Sequence, residues 1–157
     1  MTDAPGSNET AGSSGVPEKD WLALPRAMKS PIYDYMGFDI TDGGEGWAEI
    51  TLTIPDVLLN ADGVLHGGVW TVVSDTAMGA AARTLIEPHE RVITSQMDFR
   101  WLRAIEGRTL RALGRVIRRG RTGWHCTVEC FDARGVLVGM GSGTFVVIDR
   151  GRAESPR

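Results

Sequence analysis

Asp75 is the only ionisable residue between His66 and Arg83, and it stands in a largely apolar run, Gly67 to Ala82, reading GGVWTVVSDTAMGAAA. Enclosing an unpaired carboxylate costs on the order of several kcal/mol, so a core-like helix that carries one gives it a partner or a task. The run opens with His66-Gly67-Gly68, at what should be a helix N-terminus, where free N–H groups and the dipole favour negative charge. A carboxylate and unobstructed amide donors are two halves of an active site. Each also has a structural explanation: Asp75 can hydrogen-bond nearby backbone, and the glycines permit close packing of helix on sheet.

A helix from about Gly67 to Leu85 would carry both groups. Its apolar residues, among them Val69, Trp70, Val73, Ala77, Met78 and Ala80, lie nearly all round, so other structure must enclose it. Ahead of it, Gly46 to Ile54 sets Ala48, Ile50, Leu52 and Ile54 against Trp47, Glu49, Thr51 and Thr53. That alternation predicts a half-buried strand, stopped by Pro55. Four strand-like runs follow the helix: Arg91 to Trp101, Thr109 to Arg118, Thr122 to Asp132 and Val136 to Ile148. Gly120 and Gly135 mark two short hairpins with glycine at positive φ. Upstream, Trp21 to Met36 is interrupted by Pro25 and Pro31, which predicts short helical turns. The order alone describes an α+β domain, one helix covering an antiparallel sheet.

A chain of 157 residues, 42% hydrophobic, suits one soluble domain with a real core. The segment around Asp75 falls short of the roughly 20 apolar residues of a membrane span, and no signal or anchor is evident. A cytoplasmic protein is expected. Cys126 and Cys130, four residues apart on one strand, sit about 13 Å from each other, beyond the ~7 Å reach of a disulfide. His66, His89 and His125 are too scattered for a zinc site, so no metal is expected. From Phe99 to Arg121 there are eight arginines and one acid, Glu106, in a chain of net charge −3. Clustered guanidinium groups suit phosphate oxygens, although strand arginines such as Arg111 and Arg115 also suit a solvated face. Nucleic acid is not the expected polyanion, given a pI of about 5.6 and no recognised binding motif.

The run from Asn60 through His66-Gly67-Gly68 to Asp75 resembles the hotdog-fold acyl-CoA thioesterases of the phenylacetate-degradation type. In that family an Asn lies six residues before the His of an HGG motif, and the catalytic carboxylate nine after it; Asn60, His66 and Asp75 match. The resemblance covers roughly Gly46 to Ile148 and implies a hotdog fold, five to six antiparallel strands wrapped around one long central helix. The resemblance makes 46–149 the hotdog domain; outside it, residues 1–20, rich in Gly, Ser, Thr and acids, read as a disordered tail, 21–45 as a short helical or irregular segment and 150–157 as a flexible C-terminus. It also implies hydrolysis of an acyl-CoA thioester without metal or cofactor. Asp75 would be base or nucleophile, Gly67 the oxyanion donor and Asn60 the group that positions water or thioester. His66 either assists or braces the loop. A hydroxyl from the strand after the helix assists in some members, and Thr94 is the best match, with Ser95 beside it.

Helix geometry restricts how such a site is assembled. Eight residues separate Gly67 from Asp75, about 12 Å at 1.5 Å per residue, while a reacting carbonyl must lie near 3 Å from both groups. One helix cannot supply both, so a homodimer with sites shared between subunits is expected, or a homotetramer as the family often forms. Coenzyme A carries a pyrophosphate and a 3′-phosphate, and Gly68, Arg100, Arg103, Arg119 and Arg121 are the candidates to contact it. The alternatives are a non-catalytic acyl-CoA-binding hotdog protein, which would not need the costly carboxylate, and an acyl-CoA hydratase. The hydratase would want Asp and His close together, which the nine-residue spacing on one helix does not provide within a subunit.

Overall fold

Period-two alternation builds the centre of the sheet. In β2 (Trp47–Thr53) the side chains of Ala48, Ile50 and Leu52 are fully buried, while Glu49 on the other face forms a two-pronged pair with Arg111, at 3.2 and 2.7 Å. The computed structural model describes residues 19–149; residues 1–18 of the tail expected over 1–20, and the flexible C-terminus expected over 150–157, lie outside them. Two five-residue helices, α1 (Ala23–Ala27) and α2 (Ile32–Met36), come first. After β1 (Phe38–Gly44) and β2, a single 3-10 turn (Asp56–Leu58) leads into α3 (Gly67–Arg83). Four strands complete the domain: β3 (Glu90–Trp101), β4 (Thr109–Arg119), β5 (Trp124–Phe131) and β6 (Leu137–Asp149).

The six strands form one sheet in the order β1-β2-β4-β5-β6-β3, antiparallel at every junction. It wraps α3, the arrangement the resemblance implied. Two features differ from the sequence expectation. The sheet begins earlier than Gly46, because Phe38 and Ile40 are buried on β1 within the segment expected to be helical or irregular. The β4–β5 hairpin turns over Gly120 to Gly123, joined by a Gly120 N–H to Gly123 carbonyl bond of 3.0 Å, and Gly120 is not at positive φ, whereas Gly135 is, at 78°. Glycine at 120 is required for space instead, since a Cβ there would stand 2.6 Å from the Gly123 carbonyl oxygen.

Small residues let α3 lie deep in the sheet. Ala77, Met78 and Ala80 to Ala82 are fully buried, and at Gly114 of β4 a Cβ would come 2.3 Å from the Ala77 carbonyl oxygen and 2.7 Å from the Met78 nitrogen. Both neighbours are backbone, so the helix would have to move. Gly114→Ala is therefore expected to cost about 3 kcal/mol, as overpacking does, a fall in Tm of roughly 6–12 °C for a domain of this size. Thermal denaturation would show it; a shift within a degree would refute the close approach. The helix C-terminus is fastened by Thr84, whose hydroxyl donates to the Ala81 carbonyl at 2.7 Å and accepts the Gly46 N–H at 2.9 Å.

Candidate active site

The loop ahead of α3 is folded by Asn60. Its Oδ1 accepts the N–H of Asp62 at 3.0 Å and of Val64 at 3.2 Å, and Gly63, at φ 74°, makes the turn. This leaves the Asn60 Nδ2 donors as the side chain's remaining polar capacity. The loop returns through a Leu59–Leu65 bridge and delivers His66 as the helix N-cap, its Nδ1 accepting the Gly68 N–H at 3.0 Å. Two consequences follow. The neutral imidazole carries its proton on Nε2, and the Gly68 amide is committed to the cap. Val69 N–H bonds the His66 carbonyl, so among the described residues the Gly67 N–H is the first-turn donor left without a partner.

An aromatic wall flanks that amide. A Cβ on Gly67 would lie 3.7 Å from the Trp101 indole nitrogen, and Trp101 meets Phe99 edge-on at 5.1 Å between ring centroids. Trp101 is 53% exposed and, with Leu102 and Arg103, lines a cavity of about 220 Å³ beside the start of the helix.

Asp75 lies midway along α3 on a face that the sheet does not cover. The helix is apolar almost all round but not enclosed all round: Val72, Asp75 and Thr76 are only half-buried. Among the described residues the enclosed carboxylate is Asp132, 1% exposed, and it is consumed by the β5–β6 turn, accepting the N–H of Arg134 and of Val136 at 2.9 Å each. Asp75 has one hydrogen-bond partner among the described residues, the Thr94 hydroxyl of β3, which donates to Oδ1 at 2.7 Å. The bond to Asp75 selects Thr94 over Ser95, beside a break in register where Thr94 pairs with Phe145, Gln96 with Thr144, and Ser95 is skipped. A cavity of about 360 Å³ opens from Asp75 between α3, β3 and α2, past Thr76 and Gly79 to Tyr33 and Arg83. Neither Tyr33 nor Arg83 was found by sequence reasoning; the available signal was that Gly79 and Arg83 follow Asp75 at i+4 and i+8, on one side of the helix.

The four candidate arginines do not gather in one place. Arg100 pairs with Asp98 and stands opposite Met140 in the sheet, whereas Arg119 stands at the level of Trp124 and Phe145. Five residues of β6 separate the two levels, roughly 17 Å. Arg119 lies over the Trp124 ring at 4.8 Å, and Arg121 is exposed in the hairpin. Cys126 and Cys130 are free and buried, and burial pushes their thiols up to about 12 and about 11, which leaves them protonated and poor nucleophiles. Among the described residues no three His, Cys, Asp or Glu side chains gather as a metal-binding group, and no helix is long and apolar enough to cross a membrane.

Residues 62–138 match the family described as Thioesterase superfamily. A putative esterase of Haemophilus influenzae is 28% identical over 98 residues, covering 62% of this chain and 71% of the relative. The E. coli PaaI protein, from the phenylacetic acid degradation operon, shares the fold with a TM-score of 0.72 at 23% identity, over 81% of this chain and 91% of that one. A Bacillus halodurans protein crystallised with CoA gives a TM-score of 0.70 at 22% identity, over 82% and 89% of the two chains.

Proposed function

We propose that the chain is a thioester hydrolase of the thioesterase superfamily, the family whose model matches residues 62–138, and that on the fold it shares with PaaI it cleaves an aryl- or short- to medium-chain acyl-CoA to free acid and CoA. The observation that carries this reading is the pairing of an unpartnered Gly67 N–H with a Thr94-held Asp75 on one helix, about 12 Å apart. The Gly67 N–H of one subunit and the carboxylate of Asp75 of the partner subunit then meet at a single thioester across a two-fold axis. β3 supplies a surface for that meeting: among the described strands it pairs with β6 alone, it is twelve residues long, and it exposes Ile93 to Gln96. A long open edge of this kind is normally covered. Pairs of dimers make a tetramer on the same principle.

The chemistry is acyl transfer to water. Asp75 takes a proton from water as the oxygen bonds to the acyl carbon, or attacks that carbon itself to form an anhydride that water then opens. In either route the Gly67 N–H stabilises the oxyanion, the C–S bond breaks, and the departing sulfur is protonated to give CoA thiol. The Thr94 hydroxyl occupies Oδ1 and leaves Oδ2 for the reaction. His66 Nε2–H and Asn60 Nδ2 remain as donors near the carbonyl. The CoA-bound relative supports CoA as the carrier. Arg100 with Arg103, and Arg119 with Arg121, serve one nucleotide only if the two pairs come from different subunits. Two free, buried cysteines fit a reducing compartment, the cytoplasm.

Thiol release from a panel of aryl and aliphatic acyl-CoAs tests the reading. Turnover of at least one class is expected at about 1 s⁻¹ or more, within the ordinary range for enzymes. Binding of acyl-CoA with no thiol released from any member would instead favour a non-catalytic acyl-CoA-binding protein.

A further inference from the structure

The far end of the Asp75 cavity holds two donors with nothing to donate to. The Tyr33 hydroxyl and the Arg83 Nε are both buried without a hydrogen-bond partner, and both residues line this cavity. Tyr33 is only 3% exposed, its ring packed on Phe38 at 4.7 Å. Burial pushes its hydroxyl up, opposed by the nearby Arg83 guanidinium, so it stays protonated and able to donate. Among the described residues the Arg83 side chain makes no ion pair and no hydrogen bond. It also borders a second cavity beside Asp20 and Glu87 and is paired with neither.

A guanidinium cannot be neutralised by losing its proton, and its fork of donors matches a carboxylate. Gly79, with no side chain, leaves the passage from Asp75 to Arg83 open. The eight-residue rise between them, about 12 Å, spans a short acyl chain together with the arginine side chain that reaches for its end. Resting on the hydrolase reading above, we infer that the acyl group bears a carboxylate at its far end, bound by Arg83 and Tyr33, so that the substrate is the half-thioester of a dicarboxylic acid. A neutral hydroxyl would accept a hydrogen bond but leave the charge uncompensated.

Adipoyl-CoA, hexanoyl-CoA and para-hydroxybenzoyl-CoA separate the possibilities. Wild-type protein is expected to favour adipoyl-CoA over hexanoyl-CoA by about 10²-fold in kcat/KM, the upper end for hydrogen bonds to a charged group, Arg83 being half-buried. Arg83→Gln should abolish that preference, Arg83→Lys should restore part of it, and Tyr33→Phe should weaken it by about 10-fold. Equilibrium binding of the non-hydrolysable thioether analogues of adipoyl- and hexanoyl-CoA gives a second readout, independent of turnover. Loss of turnover on every substrate with the Arg83-dependent binding preference intact would overturn hydrolysis and leave the carboxylate site standing. Turnover with no preference for adipoyl-CoA, or a stronger preference for para-hydroxybenzoyl-CoA, would overturn the carboxylate site alone. If Arg83→Gln fails to fold, the wild-type preference and the Tyr33→Phe binding ratio still decide.

Discussion

Asp75→Asn is expected to lower kcat for thioester hydrolysis by at least about 10²-fold, the usual consequence of losing a general base, with KM changed little. The substitution is close to isosteric, and the Asn carbonyl oxygen can still accept the Thr94 hydroxyl that now bonds Oδ1 at 2.7 Å. Because the residue is half-buried and its environment already includes open cavity, folding should survive, and Tm should stay within a few degrees. That combination separates a catalytic carboxylate from a structural one. A structural acid in this fold looks like Asp132, enclosed and bonded to two backbone N–H groups; neutralising such a group removes charge-assisted bonds and strikes stability first. Thiol release by purified Asp75→Asn protein, with thermal denaturation alongside, decides between the two. Unchanged turnover would remove Asp75 from the chemistry.

The contrast between these two acids also shows what the sequence made legible. The apolar run around Asp75 identified the right helix, because periodicity and local composition are properties of a single segment. It overstated the enclosure of Asp75, because how much of a helix a sheet covers depends on where the sheet ends: β3 is an edge, and the helix face beside it stays open. Asp132 gave no signal, since an acid in a turn is ordinary until the turn folds back over it. β1 was missed for a related reason. Its inward residues Phe38 and Ile40 are followed by Thr41, Asp42, Gly43 and Gly44, too brief an alternation to stand out against a polar, glycine-rich end. Thr94 was legible only as one of two adjacent hydroxyls; its hydrogen bond to Asp75 shows which one faces α3, and the register break at Ser95 is not visible in sequence. Tyr33 and Arg83 are fifty residues apart in sequence, so no local pattern joins them.

Gly67→Pro is expected to cost about 10²- to 10³-fold in kcat, the loss typical of one oxyanion donor, while leaving the helix in place. Proline is favoured at the first helical position, where its missing N–H would be unpaired in any case. His66 already has ψ of 133°, the extended conformation a residue before proline requires. A Cβ at position 67 would lie 3.7 Å from Trp101, an ordinary contact. The substitution thus replaces the N–H by a ring methylene on the same nitrogen, removing the donor and filling the space it pointed into, while the helix keeps its backbone. Mixing it with Asp75→Asn then tests the two-chain site directly. If each site takes its amide from one subunit and its carboxylate from the other, a hybrid of the two variants contains one doubly impaired site and one intact site. Unfolding and refolding equal amounts together makes about half the dimers hybrids, so about a quarter of the wild-type site concentration returns from two nearly inactive parents. If amide and carboxylate act from the same chain, every chain in the mixture lacks one of them, and activity stays at the parental level however the subunits pair.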